Sequence, residues 1–132
     1  MCGIFGVIGG KSVINDILSG LTKLEYRGYD SSGISYVCNN QIETYRAEGK
    51  LNNLKKNLGE KLADTHIGIG HTRWATHGIP SKANAHPHST NEVSIVHNGI
   101  IENFLKLKTN LIDKGHIFKS QTDSEVIAHL IT

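Results

Sequence analysis

Met1-Cys2-Gly3-Ile4-Phe5-Gly6-Val7-Ile8 opens the chain. Residues 3–8 are apolar, short and bounded by glycine, the pattern of a buried strand that begins almost at the chain end. A small side chain at position 2 favours loss of the initiator methionine, which would leave Cys2 as the N-terminal residue. Its α-amino group, with a reference pKa of about 8, would then stand beside its own thiol as a base. A strand directly behind the cysteine would hold that thiol rigidly. The competing reading is an incidental cysteine.

Outward from this strand, Ser12 offers an N-cap, and Val13, Ile14, Ile17, Leu18, Leu21 and Leu24 follow with helical spacing. Residues 33–38 and 41–46 read as strands joined at Asn39-Asn40, a hairpin signal. Residues 50–63 suggest a helix through Leu51, Leu54, Leu58 and Leu62, and residues 67–71 and 92–97 suggest further strands. Asn103 can cap a helix that ends at Lys114-Gly115. Thr122-Asp123-Ser124-Glu125 fits a capping box before Val126, Ile127 and Leu130. That last helix has a start signal and no stop signal, so the chain is read as a piece of a longer one. The order predicts an α+β fold, with helices packed on a mainly antiparallel sheet.

Composition narrows the function. The 132 residues carry a net charge of +2, which gives no electrostatic case for nucleic acid or an acidic membrane surface. No run approaches the roughly 18 apolar residues of a membrane span. Two cysteines, Cys2 and Cys38, are too few for a disulfide framework, so a cytoplasmic location is expected. Cys38, inside an apolar strand, reads as an inert core residue.

Several polar groups then ask for a role. Arg73, after a buried strand and before a glycine-bounded loop, can clamp a carboxylate with its planar fork, with Trp74 as lid or wall; a surface arginine beside a core tryptophan is the alternative. Asn98-Gly99 offers a side-chain amide and a backbone N–H to one spot, as an oxyanion hole requires, or else forms a turn. Asp123 can cap a helix or receive an ammonium group. His71, His77, His86, His88 and His97 crowd one stretch, but no cysteine lies among them and Glu92 is the only acidic residue between His71 and His97, so they read as hydrogen-bonding histidines around a polar pocket. His86-Pro87-His88 would also put its rings on opposite faces if extended, so no metal is expected.

The opening Met1-to-Gly6 stretch resembles the class II glutamine amidotransferases, whose glutaminase domains are N-terminal-nucleophile hydrolases. Four further stretches resemble the aminosugar-forming branch: residues 24–33, 71–78 (His-Thr-Arg-Trp-Ala-Thr-His-Gly), 84–88 and 96–103. A fifth is 122–127. The phosphoribosyl branch, kept as the alternative, typically has Arg-Tyr-Ser-Thr where this chain has Arg73-Trp74-Ala75-Thr76. A catalytically inactive fragment is the other alternative.

The resemblance implies a four-layer α-β-β-α sandwich, incomplete because residues 2–132 form the N-terminal part of the glutaminase domain and sugar-isomerase domains are absent. It implies that Cys2 attacks the side-chain amide of L-glutamine while Asn98 and Gly99 stabilise the oxyanion. Arg73 would hold the α-carboxylate and Asp123 the α-ammonium. Thr76, His77 and His86 would line the pocket, Trp74 would sit near the ammonia exit, and Arg27 would help order the closed site. No cofactor is implied. In the parent, the ammonia would convert fructose 6-phosphate to glucosamine 6-phosphate, and the parent would be a homodimer.

Overall fold

A computed structural model describes residues 2–59, 64–75 and 78–132. The apolar run at the start forms β1 (Gly3–Ile8), and the amphipathic segment after it forms α1 (Val13–Lys23) with Ser12 at its N-cap. A 3-10 turn over Glu25–Arg27 leads into β2 (Ser31–Cys38), which folds back on β3 (Gln41–Glu48). Asn39 and Asn40 make the turn with φ of 51° and 59°. Two successive left-handed residues give the twist a tight hairpin needs, and asparagine tolerates them better than most side chains. There follow α2 (Leu51–Leu58), β4 (Ile67–Arg73), β5 (His88–Ser89), β6 (Ser94–Ile95), α3 (Phe104–Asp113) and α4 (Glu125–Ile131).

The main sheet runs β1-β4-β2-β3, and every pairing in it is antiparallel. Its two faces differ. On one, α1 lies across β1 and β4 while α2 lies on β3. Ile17 and Leu21 of α1, Ile34 of β2, and Leu51 and Leu54 of α2 are fully buried there. Each such side chain contributes about 1.5–3 kcal/mol by leaving water. Helix α1 sits close because Gly68 and Gly70 of β4 face it: a Cβ on Gly68 would lie 2.7 Å from Ile17 Cδ1, and one on Gly70 would overlap the same isoleucine.

The other face is met by residues 83–89 and the short β5-β6 ladder. Thr44 of β3 bonds Ser89 of β5 at 2.8 Å, and the Arg46 guanidinium donates to the Ala83 carbonyl at 3.2 Å. Beyond this second ladder lie α4 and, packed on it, α3. The layers are thus helix, sheet, sheet, helix, with the second sheet only two strands wide. The rest of the inner face, at Ile4, Ile8, Val37 and Ile67, is exposed.

Three local expectations are corrected. The proposed 92–97 strand is only Ser94–Ile95, paired with a β5 that alternation did not signal because each strand is two residues long. The helix at 50–63 covers Leu51–Leu58; residues 60–63 lie outside the described ones. The capping box does not form. Ser124 is the N-cap, and Glu125 turns back to the Lys119 and Ser120 backbone N–H groups, both at 2.8 Å. The Thr122 hydroxyl is taken instead by His88 Nε2 at 2.7 Å. By contrast, α3 ends as its sequence suggests: His116 N–H donates to the Leu111 carbonyl and Gly115 N–H to that of Ile112, a Schellman closure on Gly115 at φ 95°.

Candidate active site

Cys2 immediately precedes β1 and lies beside the exit of β4, because Gly3 pairs with Thr72. Gly3 N–H donates to Thr72 Oγ1 at 3.1 Å, and the glycine is required: a Cβ there would come within 2.7 Å of that oxygen. The peptide groups around Trp74 hold the sulfur. Trp74 N–H donates to Cys2 Sγ at 3.2 Å, and the thiol lies 3.7 Å from the Trp74 carbonyl, which accepts from it. Asp30 fixes both neighbours of Trp74: its N–H donates to the Arg73 carbonyl at 2.8 Å, and its carboxylate accepts from Ala75 N–H at 2.6 Å. From another side, Asn98 Nδ2 donates to the Cys2 carbonyl at 3.4 Å.

Arg73, the last residue of β4, is 3% exposed. Its guanidinium donates to the Gly78 carbonyl at 3.2 Å and the Ile79 carbonyl at 3.3 Å, tying down the loop that follows it. Burial pushes its pKa down, while the charges of Asp30, Cys2 and Asp123 oppose that shift and favour the cation. Trp74 is half exposed, and its ring packs beside Gly28, where a Cβ would lie 3.6 Å from it. Gly28 needs its φ of 77°, and Arg27 precedes it at the end of the 3-10 turn.

Residues 97–101 form the opposite wall. Asp123, buried ahead of α4, accepts from Ile101 N–H at 2.7 Å and so fixes the far end of this loop. His97 is fixed at the near end. Its N–H donates to His86 Nδ1 at 3.4 Å, its carbonyl meets His71 Nε2 at 3.2 Å, and its ring Nδ1 meets Ser124 Oγ at 3.0 Å. The His71 and His86 rings stack at 4.1 Å with 13° between their planes. Burial lowers the pKa of His71 to about 3 and of His88 to about 4, and pushes His86 down in the same way.

The structure therefore brings Cys2, Arg73, Trp74, Asn98 and Asp123 to one end of the inner sheet face, with exposed Gly99 following Asn98. Thr76 and His77 lie outside the described residues. His86 is 4% exposed, with its ring committed to His71 and His97. The rings of His86 and His88 are not on opposite faces: they approach to 4.5 Å, since the segment is bent, with a cis His86–Pro87 peptide, rather than extended. Face-to-face stacking points ring edges away from a common centre, and among the described residues no three His, Cys, Asp or Glu side chains are grouped to hold a metal ion. Sequence reasoning gave Asp30 no role and weighed His71 and His97 only as members of a histidine-rich stretch. Asp30 was marked by the resembling stretch 24–33 and by its place directly before a strand, neither of which reveals a partner forty-five residues away.

A family model described as a glutamine amidotransferase domain matches residues 41–132. Across the whole chain the protein is 55% identical to the glutamine–fructose-6-phosphate aminotransferase (isomerizing) of Bartonella quintana (strain Toulouse). It is 54% identical, over 99% of the chain, to the protein of the same name from Helicobacter pylori (strain J99). The chain spans 22% of the length of these curated relatives. Among solved structures, the glutamine phosphoribosylpyrophosphate amidotransferase of B. subtilis superimposes with a TM-score of 0.80 at 29% identity, over 99% of this chain and 29% of that one. A structure described as the allosteric regulatory enzyme of purine biosynthesis gives 0.81, also at 29% identity and with the same coverage. These solved relatives share the layered fold, and the match of most of the chain to one domain model settles its kinship: this chain belongs to the glutamine amidotransferase domain family.

Proposed function

We propose that this site hydrolyses the side-chain amide of L-glutamine, with Cys2 as nucleophile. The observation that carries the reading is the meeting of the Trp74 amide with the Cys2 sulfur while the Asn98 amide reaches the Cys2 carbonyl, so that nucleophile and oxyanion donor share one spot. The α-amino group of Cys2 takes the thiol proton through a water, and sulfur attacks the amide carbon. Asn98 and the Gly99 N–H donate to the developing oxyanion. The amine nitrogen is protonated and leaves as ammonia, which produces a γ-glutamyl thioester. Water then attacks the thioester, releases glutamate and restores the thiol. The amino group must be free for this, so Met1 must be removed.

The buried Arg73 guanidinium receives the substrate α-carboxylate and Asp123 its α-ammonium. An amide without these charges would leave both groups unpaired, which is the basis of specificity. The resemblance assigns Thr76 and His77, outside the described residues, to substrate binding, while Trp74 serves as the lid with Arg27 ordering the closed site, and His86 supports the pocket from beneath. The chemistry uses no cofactor.

Residues 2–132 form the N-terminal part of the glutaminase domain, with sugar-isomerase domains outside them. The names of the most similar relatives support an acceptor of fructose 6-phosphate, giving glucosamine 6-phosphate. A homodimer in the cytoplasm completes this reading; no helix among the described residues is long and apolar enough to cross a membrane. The solved relatives favour a phosphoribosyl acceptor, but at 29% identity against 54–55% they weigh less.

The test is glutamate release by the full-length protein and by its Cys2→Ala variant. Loss of release in the variant, with the fold retained, is expected; hydrolysis that survives the change sinks the mechanism. Amination of fructose 6-phosphate by the wild type separates the two acceptors.

A further inference from the structure

Asn98 and Gly99 act from a loop whose near end, His97, is gripped at three polar atoms by three different parts of the chain. Two of those grips come from His71 and His86, whose rings are stacked. Their geometry fixes the position of each ring proton. A carbonyl oxygen can only accept, so His71 must carry its proton on Nε2 to bond the His97 carbonyl. A backbone N–H can only donate, so His86 must leave Nδ1 bare to receive it. In a neutral ring the His86 proton is then on Nε2. The bare His71 Nδ1 is buried with no hydrogen-bond partner, so a proton placed there would be an unsatisfied donor.

We propose that His71 and His86 are positioning residues: a stacked pair of neutral Nε2–H tautomers that holds the peptide groups of residue 97 and so aims the oxyanion donors Asn98 and Gly99 at the substrate carbonyl. The inference rests on the glutaminase reading above and deepens it. It makes the oxyanion hole depend on two rings that touch no reacting atom. Protonation of His86 at Nδ1 would replace an acceptor with a donor facing the His97 N–H, and the loop would be released.

Burial above all keeps the pair neutral, and the charged surroundings add to it. Arg73 and the rings of His88 and His97 face both rings and disfavour a further positive charge. Glu125 and Asp123 face His88 and favour its protonation, and Arg46 and Arg73 oppose them. Of these three rings, only His88 has carboxylates favouring its charge, and the stacked pair has none as a direct partner.

The experiment uses the full-length protein with glutamate release as readout. His71→Phe and His86→Phe keep an aromatic ring in the stack and remove the polar grip. His71→Gln keeps a donor near the Nε2 position, and His86→Asn keeps an acceptor near Nδ1. The Phe variants should lose about tenfold or more in kcat, a fraction of the 10²–10³ lost with a whole oxyanion donor, while KM for glutamine moves less than about threefold. The Gln and Asn variants should recover most of the loss. In His86→Asn, which cannot take up the proton, any acid limb of kcat due to His86 should disappear. Phe variants that keep the wild-type kcat, or Gln and Asn variants no better than Phe, overturn the proposal. Nitrogen-15 NMR of the wild-type histidines supplies a readout independent of turnover: an Nδ1–H tautomer at either residue overturns it, even in a protein that hydrolyses nothing. Absence of glutamate release in the wild type, with both tautomers Nε2–H, would instead overturn the glutaminase reading and leave the clamp standing.

Discussion

Asp123 serves two masters, and a single-atom change separates them. Its carboxylate accepts from Ile101 N–H at 2.7 Å, which tethering the 97–101 loop alone would explain, and it lies close enough to Arg73 for the two charges to interact. In Asp123→Asn the side-chain oxygen can still accept from Ile101, but the negative charge is gone. We expect the fold to survive and KM for glutamine to rise by about 10- to 100-fold, since a hydrogen bond to a charged partner contributes about 1.5–3 kcal/mol. Steady-state kinetics checks this; an unchanged KM would leave Asp123 as a loop tether only. At this scale the sequence was legible where chemistry imposes a residue type, as at Cys2, Arg73 and Asn98. It was opaque where a residue acts through backbone groups. Asp30 bonds the Ala75 amide, and any residue type presents that amide, so no pattern in the partner could betray the contact.

Elements followed the sequence where their periodicity ran long enough to read. Helix α1 buries Val13, Ile14, Ile17 and Leu21, the positions its spacing predicts, and the β2-β3 hairpin turns on the two asparagines. The two-residue strand β5 was invisible and β6 was read too long, as 92–97, because alternation needs four or more residues to be heard. Their place is set by the sheet beneath. Gly33 of β2 faces the 86–88 segment so closely that a Cβ would overlap the His86 carbonyl oxygen. That neighbour is backbone and cannot swing aside. Gly33→Ala should therefore separate the second layer from the first and destabilise the protein by about 1–3 kcal/mol, the usual cost of overpacking. A urea-unfolding midpoint equal to that of the wild type would show that the layers have slack.

For the whole molecule, the buried histidines set an acid limit. His71 is held to about 3 and His88 to about 4 by burial, and His86 is lowered likewise, against an ordinary value of 6.5. The unfolded chain takes up these protons as the pH falls through 6.5, and the folded chain refuses them. Stability is thus fully present above pH 6.5 and is lost as the pH falls below it, down to about pH 4 for His88 and about pH 3 for His71, by up to about 1.4 kcal/mol per pH unit for each ring. Glu125 adds to the loss below its ordinary 4.5: burial would raise its pKa, but bonds from Ser120 and Lys119 outweigh this and hold it down. Thermal melts of the protein between pH 7.5 and 5.0 should show a steep fall; a flat profile would mean that the rings are already solvated. The layer order itself was legible only through resemblance, because a second sheet two residues long leaves no sheet-like pattern in the sequence.

The pairing of the first strand with β4 has a consequence for synthesis. The β2-β3 hairpin can close as soon as its turn has been made. Strand β1 must wait, because its partner ends about 65 residues later, at Arg73. At roughly 5–20 residues per second, the ribosome leaves β1 without its neighbour for about 3–13 s. Throughout that interval the Trp74 peptide that will hold the sulfur does not exist. Within this chain the cysteine is thus made 72 residues before the peptide that holds its sulfur, and the two meet only when β1 is claimed by a much younger strand.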